Sequence, residues 1–105
     1  MGLKTVQEYL AGPTNFEGGP VSVGTEAVEI SFKYESNWVR IQADTENTSS
    51  IYVGSSGVGT DGSGAVARLD PGEAISLKYD SLWNSFWVIS PEPSQKVYKL
   101  GAYIE

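Results

Sequence analysis

The sequence predicts an all-β protein, an antiparallel β-sandwich of jelly-roll or immunoglobulin-like type, preceded by a short N-terminal helix and an extended arm. Three observations lead there. From Thr25 onward apolar residues recur with period two, as on a half-buried strand. The candidate strands, about seven, are short and follow one another at spacings of roughly 10 to 12 residues, as in sandwiches and barrels. The breaks between them are clusters of Gly, Pro, Asn, Asp and Ser, which favour turns.

Length and composition bound the rest. The chain has 105 residues, of which 40% are hydrophobic and 11% aromatic, enough for one compact core in one domain. It contains no Cys and no His. That removes thiol nucleophiles, disulfides, His general bases, the Ser-His-Asp arrangement and every N- or S-rich metal site. Carboxylate, Ser, Lys and Tyr chemistry remain. Thirteen acidic residues against seven basic give a net charge of -6, without the basic footprint that nucleic acid requires. No apolar run approaches the ~18 residues of a membrane span. Lys4, Gln7 and Glu8 interrupt the first residues before an apolar signal region can form, so synthesis in the cytoplasm is expected.

Residues 3–11 place Leu3, Val6, Tyr9 and Leu10 at spacings of one helical stripe, and Gly12-Pro13 ends it. A helix this short is marginal alone, so its stripe needs a surface, its own sandwich or a neighbouring subunit. Pro13 to Gly24, rich in Gly and Pro, reads as an extended connector with little regular pairing. The division is therefore an arm at 1–24 and a β-sandwich domain at 25–105.

Val28, Ile30, Phe32 and Tyr34 alternate with Glu29, Ser31, Lys33 and Glu35. Asn37 to Ala43 repeats the device, with Val39, Ile41 and Ala43 opposed to Trp38, Arg40 and Gln42. With turn chemistry between them, the two are expected to form a hairpin. Ile51 to Val53 is a short strand, Gly54 to Gly64 a loop, and Ala65 to Leu69 a weak strand. Asp70-Pro71-Gly72-Glu73 fits a type II turn fixing a second hairpin, because Pro sets the first φ and Gly tolerates the positive second. Ile75, Leu77 and Tyr79 share one side of the next strand. Phe86 to Ile89 is continuous enough to be a central strand covered on both faces. Lys96 to Ile104 closes the set, with Tyr98, Leu100, Ala102 and Ile104 in step.

Few motifs carry chemistry. Gly57-Val58-Gly59-Thr60-Asp61-Gly62 matches G-x-G-x-x-G, but no helix can open at the third Gly, which a dinucleotide site needs. One acid, Asp61, does not make a calcium loop. Asn47-Thr48-Ser49 is a bare sequon. No pair of acids stands out for carboxylate catalysis, so the expected protein is not an enzyme and has no cofactor and no metal. The tryptophans say more. Trp38 should point away from Val39 and Ile41, and Trp83 and Trp87 flank a strand start. Such rings close a core edge, anchor a protein interface or stack on sugars.

Within residues 39–101 the order Asn47-x-x-x-Ile51-Tyr-Val-Gly54, Leu69-Asp-Pro-Gly-Glu-Ala-Ile-Ser-Leu77 and Phe86-Trp-Val-Ile-Ser90 is similar to the small β-sandwich domains of tailed-bacteriophage virion proteins. The resemblance implies a non-enzymatic virion structural protein, expected as a capsid decoration (cement) protein on the capsid surface. Its implied partners are the major capsid protein or other virion proteins and further copies of itself, as a trimer. No nucleic acid and no membrane are expected. The anchor candidates are Leu3, Val6, Tyr9 and Leu10 in the arm with Trp38, Trp83 and Trp87. The alternative expectation is a carbohydrate-binding module using exposed Trp rings.

Overall fold

A computed structural model describes residues 14–32, 38–78 and 86–104. The described residues form eight strands: β1 (Thr14–Val23), β2 (Val28–Ile30), β3 (Trp38–Ala43), β4 (Ile51–Gly54), β5 (Ala65–Leu69), β6 (Ala74–Lys78), β7 (Phe86–Ile89) and β8 (Gln95–Ile104). They make two four-stranded sheets, one ordered β1-β8-β3-β6 and the other β2-β7-β4-β5, with antiparallel pairing throughout.

The pairing is nested. First strand meets last, second meets second-to-last, and so inward to the β4–β5 hairpin. The β3–β8 and β4–β7 ladders then join the halves. This is a long hairpin rolled into two layers, the connectivity of a jelly roll rather than of an immunoglobulin domain.

Alternation within each strand fills the space between the sheets. Val39, Ile41 and Ala43 of β3, Ile51 and Val53 of β4, Val88 of β7 and Val97 of β8 are buried in one cluster, joined by Val23, Ile30, Phe32 and Leu69. Each buried Val, Ile, Leu or Phe side chain contributes roughly 1.5–3 kcal/mol by leaving water. β7 lies between β2 and β4, and both Val88 and Ile89 are buried, as expected of a strand covered on two sides.

Three sequence expectations are corrected. The segment expected as an extended connector with little regular pairing holds β1, matched residue for residue with β8 from Thr14–Ile104 to Val23–Gln95. Its Gly and Pro are compatible with pairing because β1 is the edge strand of its sheet among the described residues, a position where Pro is tolerated. Gly18 sits against the backbone of Lys99 where a Cβ would collide with it. Next, the strands at Val28 and Trp38 do not form a hairpin: β2 and β3 belong to opposite sheets. Likewise β5 and β6 do not pair, so the 70–73 turn carries the chain between layers. The turn itself is as expected: Glu73 N donates to Asp70 O at 2.9 Å, and Gly72 has φ of 88°. It docks on the end of β3, where Gly72 N donates to Ala43 O and Ala43 N to Glu73 O. The N-terminal helix expected at 3–11 lies outside the described residues.

Candidate functional site

The two outer faces of the sandwich differ, and the difference begins with the loops. On the β2-β7-β4-β5 sheet, the Gly-rich segment after β4 folds back over the strands. Val58 is buried, packing where a Cβ on Gly54 would stand, and Gly62 lies close against the Tyr52 ring. The loop is a chain of turns: Val58 N donates to Ser55 O, Gly62 N to Gly59 O and Ala65 N to Gly62 O, at 2.9–3.1 Å. The backbone N–H of Ser63 donates to Asp61 Oδ1 at 3.0 Å, which holds that carboxyl below its ordinary value. The G-x-G-x-x-G string thus links two antiparallel strands and opens no phosphate-binding helix.

The β1-β8-β3-β6 sheet has no such cover among the described residues. Strand register aligns its outward side chains in rows. One row runs Gly18, Leu100, Arg40, Ser76, and the next Pro20, Tyr98, Gln42, Ala74. On the other side of the first row, Phe16 pairs with Ala102, and Trp38 pairs with Lys78. Phe16 is 69% exposed, Trp38 62%, and Tyr98 and Leu100 43% each. These large apolar side chains share one face of the sheet instead of being scattered. Val66, also exposed, is a separate case: it lies on β5 of the opposite sheet, in phase with exposed Arg68.

The same face is electrically distinct. Arg40, Lys78 and Lys96 point outward from it, and no acidic residue occupies an outward position on the four strands. Lys96 approaches Asp44 at 4.0 Å and stands 6.0 Å from the centre of the Tyr98 ring. Neither Arg40 nor Lys78 forms an ion pair with a described residue. A cationic, aromatic face on an acidic protein results.

Several polar groups elsewhere are absorbed by the scaffold, while the Asn15 amide nitrogen is buried without a hydrogen-bond partner among the described residues. Gln95 is buried; its Oε1 accepts from the Thr48 and Ser49 N–H groups at 2.8 and 3.0 Å. Its Nε2 donates to Thr48 Oγ1 and Pro93 O. Asn47 pairs both ends of its amide with the backbone of Lys96, so the sequon's Nδ2 serves the fold. Ser50, Arg68 and Asp70 form a surface triad, in which the Ser50 hydroxyl, then Arg68, hold the Asp70 carboxyl below its ordinary value. Among the described residues no group of three or more acidic side chains is placed to hold a metal ion.

Of the sequence-predicted anchors, Trp38 stands on the uncovered face, opposite in phase to buried Val39 and Ile41 as expected. Trp87 is half-buried on the other sheet, next to Gly54 and Glu29. The structure therefore does not bring these two together. Leu3, Val6, Tyr9, Leu10 and Trp83 lie outside the described residues. Sequence reading did not single out Phe16, Tyr98, Leu100, Arg40 and Lys78. The signal was present in β8, whose apolar alternation at Tyr98, Leu100 and Ala102 is the exposed phase, while Val97 and Gly101 face inward.

Comparisons with known proteins add little. No family model matches the chain, and no curated protein matches it. A solved chain described by the words "Bacillus endospore appendages form a novel family of disulfide-linked pili" is similar over 88% of this chain and 87% of its own length. The identity is 16% and the TM-score 0.43, a likeness from which no function is carried over. This chain has no cysteine with which to form a disulfide.

Proposed function

We propose that this chain is a non-enzymatic structural protein of a tailed-bacteriophage virion, a decoration protein that stabilises the head by binding between capsid subunits. The observation that carries the reading is the uncovered face bearing Phe16, Trp38, Tyr98 and Leu100, since contiguous exposed apolar surface rimmed by polar residues marks interaction sites. Large aromatics with Arg are the residue types that dominate interface energies. The resemblance of the strand-and-turn order to virion sandwich domains supports the same class. The mechanism is surface burial: a protein that binds the assembled shell and not its separated subunits stabilises the shell by mass action.

The test is co-sedimentation of the purified protein with heads of the phage that encodes it. Saturable binding at a fixed number of copies per shell is expected, with at least tenfold weaker binding for Trp38→Ser. Removal of residues 1–13, which leaves β1 intact, tests whether Leu3, Val6, Tyr9 and Leu10 take part. Protein that stays in the supernatant at every concentration rules the reading out. The exposed Trp38 ring keeps a glycan-binding module as the second reading. Saturable quenching of Trp fluorescence by one polysaccharide, abolished by Trp38→Ala in a protein that ignores heads, would establish it instead.

A further inference from the structure

We infer that the uncovered β1-β8-β3-β6 face is where one copy of this chain binds the next, head to tail, its aromatic and cationic side chains seated on an acidic surface of the neighbouring copy. The inference rests on reading this face as a protein-binding surface, but not on the partner being a capsid: in the free protein the next copy occupies the face, and a capsid subunit that bound there would displace that copy.

Charge selects the occupant. The chain carries -6 overall, yet three of its seven basic side chains stand on this one face, with no acidic residue at its outward strand positions. The remainder of the molecule is therefore more acidic than the whole and is itself the electrostatic complement of the face. Arg40 lies in the row between Leu100 and Ser76, near the middle of the sheet and without an ion-pair partner among the described residues. Burying it requires a carboxylate from outside the face, because an unpaired charge removed from water is costly.

The same placement argues against a symmetric pair. In a two-fold, face-to-face dimer each face meets its own copy, so Arg40 and Lys78 would confront a second set of cations as water is excluded. A head-to-tail contact brings unlike surfaces together instead. If its rotation closes, the product is a ring such as a trimer; if not, an open chain of copies.

The experiment is the solution mass of the full chain by light scattering over a concentration series, at low and high salt. A mass that is a multiple of the monomer, falling on dilution and falling further with salt, is expected. In Arg40→Glu/Lys78→Glu the dissociation constant should rise at least tenfold while the far-ultraviolet circular dichroism stays that of the wild type. Trp38→Ser should weaken association through the apolar part alone. Mixing distinguishes the geometries. Added to wild type, the charge-reversed protein should lower the wild-type mass, because it offers an acidic surface but no working face. A mixed pair tighter than either protein alone would establish the face-to-face dimer and overturn the inference. So would a monomer at every concentration, or assembly indifferent to both variants. Head binding is measured separately, so a protein that assembles but ignores heads keeps this inference and loses the proposed function.

Discussion

At the residue scale, Gln95 shows how one polar side chain can hold a loop. Its amide carbonyl and its amide nitrogen each make two hydrogen bonds, tying the segment after β3 to the start of β8. Gln95→Ala leaves the Thr48 and Ser49 N–H groups without this acceptor, and a loss of about 2–3 kcal/mol is expected in urea unfolding. A change within experimental error would mean that water replaces the amide. Asp70 gives a test by pH. Its carboxyl is held low chiefly by the Ser50 hydroxyl, with Arg68 second. A folded-state value below the unfolded one means that the contribution is complete above the unfolded value and disappears as pH falls through the folded one. The Asp70 carboxyl should therefore titrate by nuclear magnetic resonance below an unstructured Asp, and Ser50→Ala should move the midpoint upward. An unmoved midpoint would leave Arg68 as the main cause.

At the scale of elements, β1 is the strand that composition conceals. Three Gly and two Pro around it signal a breaker, but that rule is derived from strands paired on both sides, and an edge strand needs only one. Gly18 is the position where the close approach to β8 depends on a missing side chain. Gly18→Val forces the β1 and Lys99 backbones apart, since the added carbon would meet Leu100 Cα at 3.2 Å and closer Lys99 atoms first. Amide exchange should accelerate along β1 and its β8 partners, with a stability loss of roughly 1–3 kcal/mol, while β4 and β7 keep their protection. Uniform acceleration in all strands would show β1 to be part of the same cooperative unit. The elements legible in advance were those with one wet and one dry face: β3, β4 and β6 declared their inward residues by simple alternation. In β8 the alternation was legible but its direction was not. Lys99 faces inward there, with Nζ donating to Ser31 O and standing 5.2 Å from the Phe32 ring, so a charge occupies a position that binary patterning assigns to the core.

For the whole molecule, strand spacing and turn chemistry were enough for an all-β sandwich, but not for its connectivity. A turn such as 70–73 has the same local chemistry whether it joins neighbours in one sheet or crosses between sheets, and only the packing of distant strands decides. The candidate face was hidden for the same reason: Phe16, Arg40 and Leu100 come from separate stretches of chain and become neighbours only once β1, β3 and β8 are in register. Trp38, Arg40 and Gln42 could be assigned outward from their own strand, but not the residues they meet there. The nested pairing also bears on the order of events in folding. The β4–β5 hairpin is local, but the β1–β8 ladder joins Thr14 to Ile104, and pairings so distant in sequence slow the search for the native state. On the ribosome β1 is the first of the eight strands to emerge, and it must remain unpaired with its native partner until the last has been made.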